Sequence, residues 1–262
     1  PGLGVSYSPT AGTTVFGGVH RGFSPPRAED IISNTTGGTV ELDPEMSWNY
    51  ELGVRTRVDR RASLEATIFR LDFQNQIVPA SVAGGIGATL TSAGRTTHQG
   101  AEFAGRTDFR GVFGSRHSLW LRGAYTFIPV SEFAGQRFSS IGGFGGVLVT
   151  GNRLPYAPRN LLNSMLGYSH SSGVNAMVEG VYSGGQFGDD LNTINPTADG
   201  QRGGIPSNFV WNATFNYPVE QWRTTFFVTA KNIGDRIYIV DRTRGMLPGM
   251  PRLIQAGIRF SF

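Results

Sequence analysis

Leu253-Ile254-Gln255-Ala256-Gly257-Ile258-Arg259-Phe260-Ser261-Phe262 is the stretch that decides how the rest of the chain is read. Ile254, Ala256, Ile258, Phe260 and Phe262 fall on one face of an extended strand, and Gln255, Gly257, Arg259 and Ser261 on the other, because successive strand side chains point to opposite sides. The same period recurs upstream, where Tyr50, Leu52, Val54, Thr56 and Val58 oppose Glu51, Gly53, Arg55 and Arg57. Leu119, Leu121, Gly123, Tyr125 and Phe127 stand against Trp120, Arg122, Ala124 and Thr126. Trp211, Ala213, Phe215 and Tyr217 face away from Asn212, Thr214 and Asn216, and Ala101, Phe103 and Gly105 away from Glu102, Arg106 and Asp108. Each polar face carries charge or amide.

Composition narrows what such strands can build. Only 16% of the 262 residues are charged and 39% hydrophobic, against about 25% and 45–50% in soluble domains. Glycine contributes 37 residues, about twice average usage. Cysteine is absent, which excludes disulfide frameworks and thiolate metal sites. Mean hydropathy is -0.16, and no apolar run approaches the roughly 18–20 residues of a spanning helix. That excludes a helical membrane protein but not a membrane barrel, whose strands alternate lipid-facing and lumen-facing residues. The 23 Lys and Arg exceed the 19 Asp and Glu by only four, and no dense basic cluster tracks a phosphate backbone, so nucleic-acid binding is not expected. A start at Pro1 without a charged-then-apolar leader reads as part of a longer protein.

A soluble sandwich or a barrel with an apolar interior would also use alternating strands, and connection lengths separate the options. Tight turns are expected at Pro9–Gly12, Asp59–Arg61, Arg110–Arg116, Ser171–Gly173 and Glu220–Arg223. Longer connections are expected at Phe23–Glu45, Val130–Pro158, Gly188–Pro206 and Val240–Pro251, with a shorter one near Pro79–Ala88. Short and long alternate, as in transmembrane barrels with short periplasmic turns and long extracellular loops. The expected fold is therefore all-β, an antiparallel transmembrane β-barrel contributing about eleven strands. An odd number cannot close an ordinary single-chain bacterial barrel, so the chain reads as part of a larger one. One strand departs from the pattern, since Arg70 and Asp72 continue the face of Leu64, Ala66 and Ile68. A bulge, or a strand rising beyond the membrane, accounts for this.

Little points to catalysis. His20, His98, His117 and His170 lack ligand-like spacing, so neither a catalytic residue nor a metal site is expected, and no cofactor. Ile141–Gly146 reads IGGFGG, but no lysine follows and no helix begins there, so it reads as a flexible external loop. Asp189-Asp190 reads as solvated surface, and the Asn34-Thr35-Thr36 sequon would mean nothing if the protein is bacterial. Phe260 and Phe262 suit an aromatic anchor at the membrane interface. They also resemble the C-terminal signal of bacterial outer-membrane barrels, which implies recognition by the barrel assembly machinery.

Several strings occur in an order that covers nearly the whole chain. Gly18-Val19-His20-Arg21-Gly22-Phe23-Ser24-Pro25-Pro26 and Asn49-Tyr50-Glu51-Leu52-Gly53-Val54-Arg55 come first. Thr67-Ile68-Phe69 with Asn75-Gln76-Ile77, His98-Gln99-Gly100-Ala101-Glu102 and Gly151-Asn152-Arg153-Leu154-Pro155-Tyr156-Ala157-Pro158-Arg159 follow. Lys231-Asn232-Ile233-Gly234-Asp235-Arg236-Ile237-Tyr238 and Pro248-Gly249-Met250-Pro251-Arg252 complete the set. Together they resemble the C-terminal half of TonB-dependent outer-membrane receptors. Arg242-Thr243-Arg244-Gly245 is most similar to ferric siderophore receptors of the ferric citrate kind.

That resemblance implies a 22-stranded barrel in the bacterial outer membrane, of which residues 1–262 form the C-terminal half. The plug domain, the TonB box and the N-terminal strands would lie outside the chain. It further implies import of a ferric chelate energised through the TonB complex, among outer-membrane lipid and lipopolysaccharide. Ferric chelates are commonly anionic, and Arg27, Arg137, Arg153, Arg202, Arg242 and Arg244 fall in the expected external loops, where guanidinium groups make charge-assisted, often bidentate contacts. The same arginines could instead meet lipopolysaccharide phosphates or merely solvate the rim. The alternatives are a passive porin or surface adhesin on the same barrel logic, or a receptor of this family for cobalamin or a saccharide. An outer-membrane barrel enzyme is disfavoured, because no triad or paired carboxylates can be placed on one rim.

Overall fold

The computed structural model describes residues 1–26, 43–59, 61–78, 91–92, 94–111, 114–139, 141 and 143–261. Arg27, the sequon at 34–36 and Phe262 lie outside the described residues. Eleven strands form one antiparallel sheet whose spatial order follows the chain. They are β1 (Gly2–Thr10), β2 (Thr13–Ser24), β3 (Glu45–Val58), β4 (Ala62–Gln74), β5 (Arg95–Gly111) and β6 (Gly114–Ala134). Then come β7 (Asn160–His170), β8 (Asn175–Ser183), β9 (Asn208–Val219), β10 (Thr224–Lys231) and β11 (Leu253–Phe260). Antiparallel pairing in chain order puts the strand ends that lead into the tight connections at one edge of the sheet and those that lead into the long ones at the other, as the alternation of lengths predicts. In the described sheet β1 pairs only with β2, and β11 only with β10.

Register carries the sequence period across the whole sheet. Val15, Val54, Ala66, Phe103, Tyr125, Leu162, Tyr182 and Phe209 make one cross-strand rung from β2 to β9. Nearer the turns, Leu121, Leu166, Val178, Ala213, Ala230 and Ile254 make another from β6 to β11. Many of these side chains are exposed, among them Leu166, Val178 and Ile254. The opposite face is polar: Arg55 pairs with Glu65 at 2.7 Å, Arg106 with Asp108 at 3.0 Å, and Glu179 accepts from Asn163 and Asn212. Among the described residues the buried hydrophobic ones are Phe133, Ile141, Val149, Leu154 and Ile205, and none of these belongs to a second layer packed on the apolar face. A soluble sandwich, which needs its apolar faces to meet, is therefore not what these strands build.

Three local results refine the sequence reading. β6 runs on to Ala134, beyond the expected loop start at Val130, and forms a tall hairpin with β5. The pairing of β5 with β6 slips between Gln99 and Ala101, so Ile128 and Pro129 bulge opposite Gly100, where a Cβ would collide with the Phe127 carbonyl oxygen. In β4 there is no bulge: its register with β3 runs unbroken from Met46–Gln74 to Val58–Ala62. Arg70 and Asp72 therefore stay on the apolar face, and the strand simply rises above the apolar rungs toward the loops.

Candidate functional site

At the loop end, the connections 135–159, 184–207 and 232–252 lock together into one platform. Its centre is apolar: Phe133, Val149 and Leu154 cluster with Ala157 and Leu191. Around it sit polar groups of unusual burial. Asp189 and Asp190 are 0% and 1% exposed, which corrects their reading as solvated surface. A buried carboxylate persists only when its lone pairs are satisfied, and these are. Asp189 accepts from the Thr193 amide and hydroxyl at 3.1 and 2.9 Å and from the Gly203 amide at 3.2 Å. Asp190 accepts from the Ser139 hydroxyl at 2.9 Å, and its carbonyl takes Asn152 Nδ2 at 2.9 Å. The acidic pair thus ties its own loop to the one before it.

The sequence-predicted arginines divide by what they touch. Arg153 donates from Nε to the Ala157 carbonyl at 2.6 Å, and from its terminal nitrogens to Pro129 at 3.2 Å and Ile128 at 2.8 Å. Burial pushes its guanidinium down to about 10. Its backbone is clasped by Asn192, whose amide side chain both accepts from the Arg153 N–H and donates to its carbonyl, each at 2.8 Å. Arg242, only 2% exposed, donates to the carbonyls of Gly204 at 3.2 Å and Gly200 at 3.0 Å. Both therefore hold loop backbone rather than presenting charge outward. Arg137 is half-buried over the Phe133 ring, lowered by burial and opposed by the nearby Asp190 charge. Arg202 lies over Phe144 at 5.2 Å, joining two loops, and Arg244 is exposed. In the IGGFGG stretch, among the described residues, Phe144 N–H bonds the Ile141 carbonyl and Val147 N–H that of Phe144, both at 2.9 Å.

Two anchors were missed by sequence reasoning. Tyr156 donates to Asp241 at 2.6 Å and accepts from the Arg242 amide at 3.0 Å, linking loops 85 residues apart. Asn232, 2% exposed with φ 47°, accepts from the Arg236 amide at 2.8 Å and donates to the carbonyls of Arg236 and Met250, both 2.9 Å. It ends β10 at Lys231, so the last loop begins well before the expected Val240.

The Tyr156–Asp241 tie has a pH signature. Burial alone would raise Asp241, but bonds from Thr243, Tyr156 and the Arg242 backbone outweigh it and leave the carboxyl below its ordinary 3.8. A depressed acid contributes stability that is complete above the ordinary value and is lost as pH falls through the lower folded value. Amide protection at Arg242 and Thr243, corrected for intrinsic exchange, should therefore hold from pH 7 to pH ~4 and drop below that. Asp241→Asn should abolish the step.

The chain matches the TonB dependent receptor-like β-barrel family over residues 1–233. It belongs to that family. Members of the TonB-dependent receptor family are outer-membrane transporters rather than enzymes. Among solved structures, the ferric citrate transporter FecA in its unliganded form superposes with a TM-score of 0.69 at 24% identity, covering 98% of this chain and 37% of that one. The ferric-catecholate import receptor Fiu from K12 E. coli gives 0.67 at 17%, covering 98% and 34%. The copper transporter OprC gives 0.68 at 14%, covering 100% and 38%. At these identities the likeness is one of fold. The TonB-dependent receptor chain described here spans little more than a third of each of these proteins.

Proposed function

We propose that residues 1–262 are the C-terminal half of a 22-stranded outer-membrane barrel whose intact form imports an anionic ferric chelate, energised through TonB. The loop platform is the observation that carries this reading. Three adjacent loops are fastened into one surface at a single mouth of the sheet, with Arg202 and Arg244 on it. The resemblance of Arg242-Thr243-Arg244-Gly245 to ferric citrate receptors and the fold shared with FecA support the cargo class. The apolar face would meet lipid, the polar face would line the lumen, and the unpaired sides of β1 and β11 would pair with strands upstream in the intact chain. Phe260, exposed on the apolar face, fits the insertion signal read by the assembly machinery. With Arg153 and Arg242 engaged by backbone, Arg137 set over the Phe133 ring and Arg27 outside the described residues, Arg202 and Arg244 are the arginines assigned to the cargo in this reading.

The test is equilibrium binding of ferric citrate, a ferric catecholate, copper and cobalamin to the full-length receptor. Arg202→Ala and Arg244→Ala should each weaken the ferric chelate about tenfold or more, since a charge-assisted hydrogen bond is worth about 1.5–3 kcal/mol. Unchanged affinity in both would make them rim decoration. Binding of cobalamin or copper alone would overturn the iron reading and leave the family standing.

A further inference from the structure

Two of the histidines that show no ligand-like spacing in the sequence are brought together by strand register. His117 on β6 and His170 at the end of β7 are direct cross-strand partners. They continue the face of Phe109, Leu119 and Tyr168, one rung nearer the turns, and both are half-buried. The Ser171 amide donates to the Arg116 carbonyl at 2.9 Å, which marks His117 and His170 as a non-hydrogen-bonded pair, the kind that brings opposing side chains closest. Their ring centroids are 4.9 Å apart, with the planes at 51°. A hydroxyl fixes each ring at Nδ1: Tyr168 Oη lies 2.8 Å from that of His117, and Ser172 Oγ 2.8 Å from that of His170. The hydrogen bonds of both rings are made at Nδ1, so neither Nε2 has a partner among the described residues.

Two neighbouring imidazoles, each held at one nitrogen and free at the other, have the second-shell arrangement that orients histidine metal ligands. Their spacing also suits one shared ion. With metal–nitrogen bonds of about 2.0–2.1 Å, two Nε2 atoms on one metal at angles between square-planar and tetrahedral place the ring centres about 4.5–5.2 Å apart. The observed 4.9 Å lies inside that window, so binding asks the rings to rotate and leaves the strands in place. We propose that His117 and His170 form a two-histidine site for a divalent copper, nickel or zinc ion, with water completing the coordination shell. Magnesium and calcium do not fit, since these hard cations take oxygen ligands. The site makes one demand on its surroundings. The Ser172 amide also donates to His170 Nδ1, at 3.2 Å. Coordination at Nε2 therefore moves the ring proton to Nδ1, which donates to Ser172 Oγ and releases the amide. A bound ion clips β6 to β7 beside their neighbouring turn and loosens one amide of that turn.

The test is binding of Cu2+ to metal-free full-length receptor, read by titration and by electron paramagnetic resonance, with Ni2+, Zn2+ and Mg2+ as competitors. The first equivalent of Cu2+ should show splitting from two coordinated nitrogens, and Ni2+ and Zn2+ but not Mg2+ should compete with it. His117→Ala and His170→Ala should each remove one nitrogen from the spectrum and weaken Cu2+ about tenfold or more. Tyr168→Phe keeps both ligands and should weaken it about tenfold through the lost orientation of His117. Ferric chelate binding should be unchanged in all three, which guards against a folding artefact. Wild-type copper affinity in the His117→Ala/His170→Ala double variant, or a spectrum that keeps its nitrogens there, would overturn the site. A second measurement needs no variant. In the wild type, Zn2+ should slow hydrogen exchange at 117–119 and 168–170 and speed it at the Ser172 amide. Exchange at these positions that ignores Zn2+ would overturn the proposal as well.

Discussion

Replacing Arg242 with alanine is expected to loosen the loop platform by about 3–6 kcal/mol, because two charge-assisted hydrogen bonds worth about 1.5–3 kcal/mol each are lost. The Gly200 and Gly204 carbonyls would lose the donor that now satisfies them, the first of them buried. Hydrogen exchange of the full-length receptor should show the change within 184–207 and 239–248, with the strands unaffected. Arg242→Met restores volume without donors and should behave nearly as badly. Arg244→Ala, two residues away and exposed, should leave protection unchanged. Wild-type exchange in Arg242→Ala would mean that the buried guanidinium does not hold these loops.

The second large effect concerns the sheet. Val178 sits mid-strand on the apolar face between Leu166 and Ala213. An arginine there should destabilise the lipid-embedded barrel by about 2–4 kcal/mol if the residue lies near the bilayer midplane. Met177, its neighbour on the polar face between Gly167 and Thr214, should accept arginine at much lower cost. A denaturant titration of full-length receptor refolded into lipid vesicles reads both. Equal sensitivity at the two positions would remove the lipid from that face.

The fold was legible because a strand's period of two is written directly in its side chains. Ile254, Ala256, Ile258 and Phe260 announce their face without any knowledge of a partner strand. The loops were not legible for the opposite reason: their order comes from contacts between segments far apart in sequence. Asp189-Asp190 looks like solvated charge until Ser139, Thr193 and Gly203 close around it. Arg242 looks like an outward cation until Gly200 and Gly204 turn their carbonyls to it. Asn232 was visible within the Lys231–Tyr238 string, but its role depends on Met250 returning to it. The Arg70 slip was read correctly as an anomaly, and only the unbroken β3–β4 register could choose between its two explanations.

The open sheet carries a parity constraint. Its eleven strands alternate in direction, so β1 and β11 point the same way, both running from the loop end to the turn end. Bending the sheet until these two edges met would pair them in parallel, and a second copy inserted in the same orientation would meet each edge in parallel as well. Antiparallel closure needs an odd number of further strands, the outermost two ascending. Tandem duplication of this segment could not manufacture a ring by itself. Any complementary piece would have to be a different object, and an engineered split of such a barrel at this position would yield halves that recognise each other but not themselves.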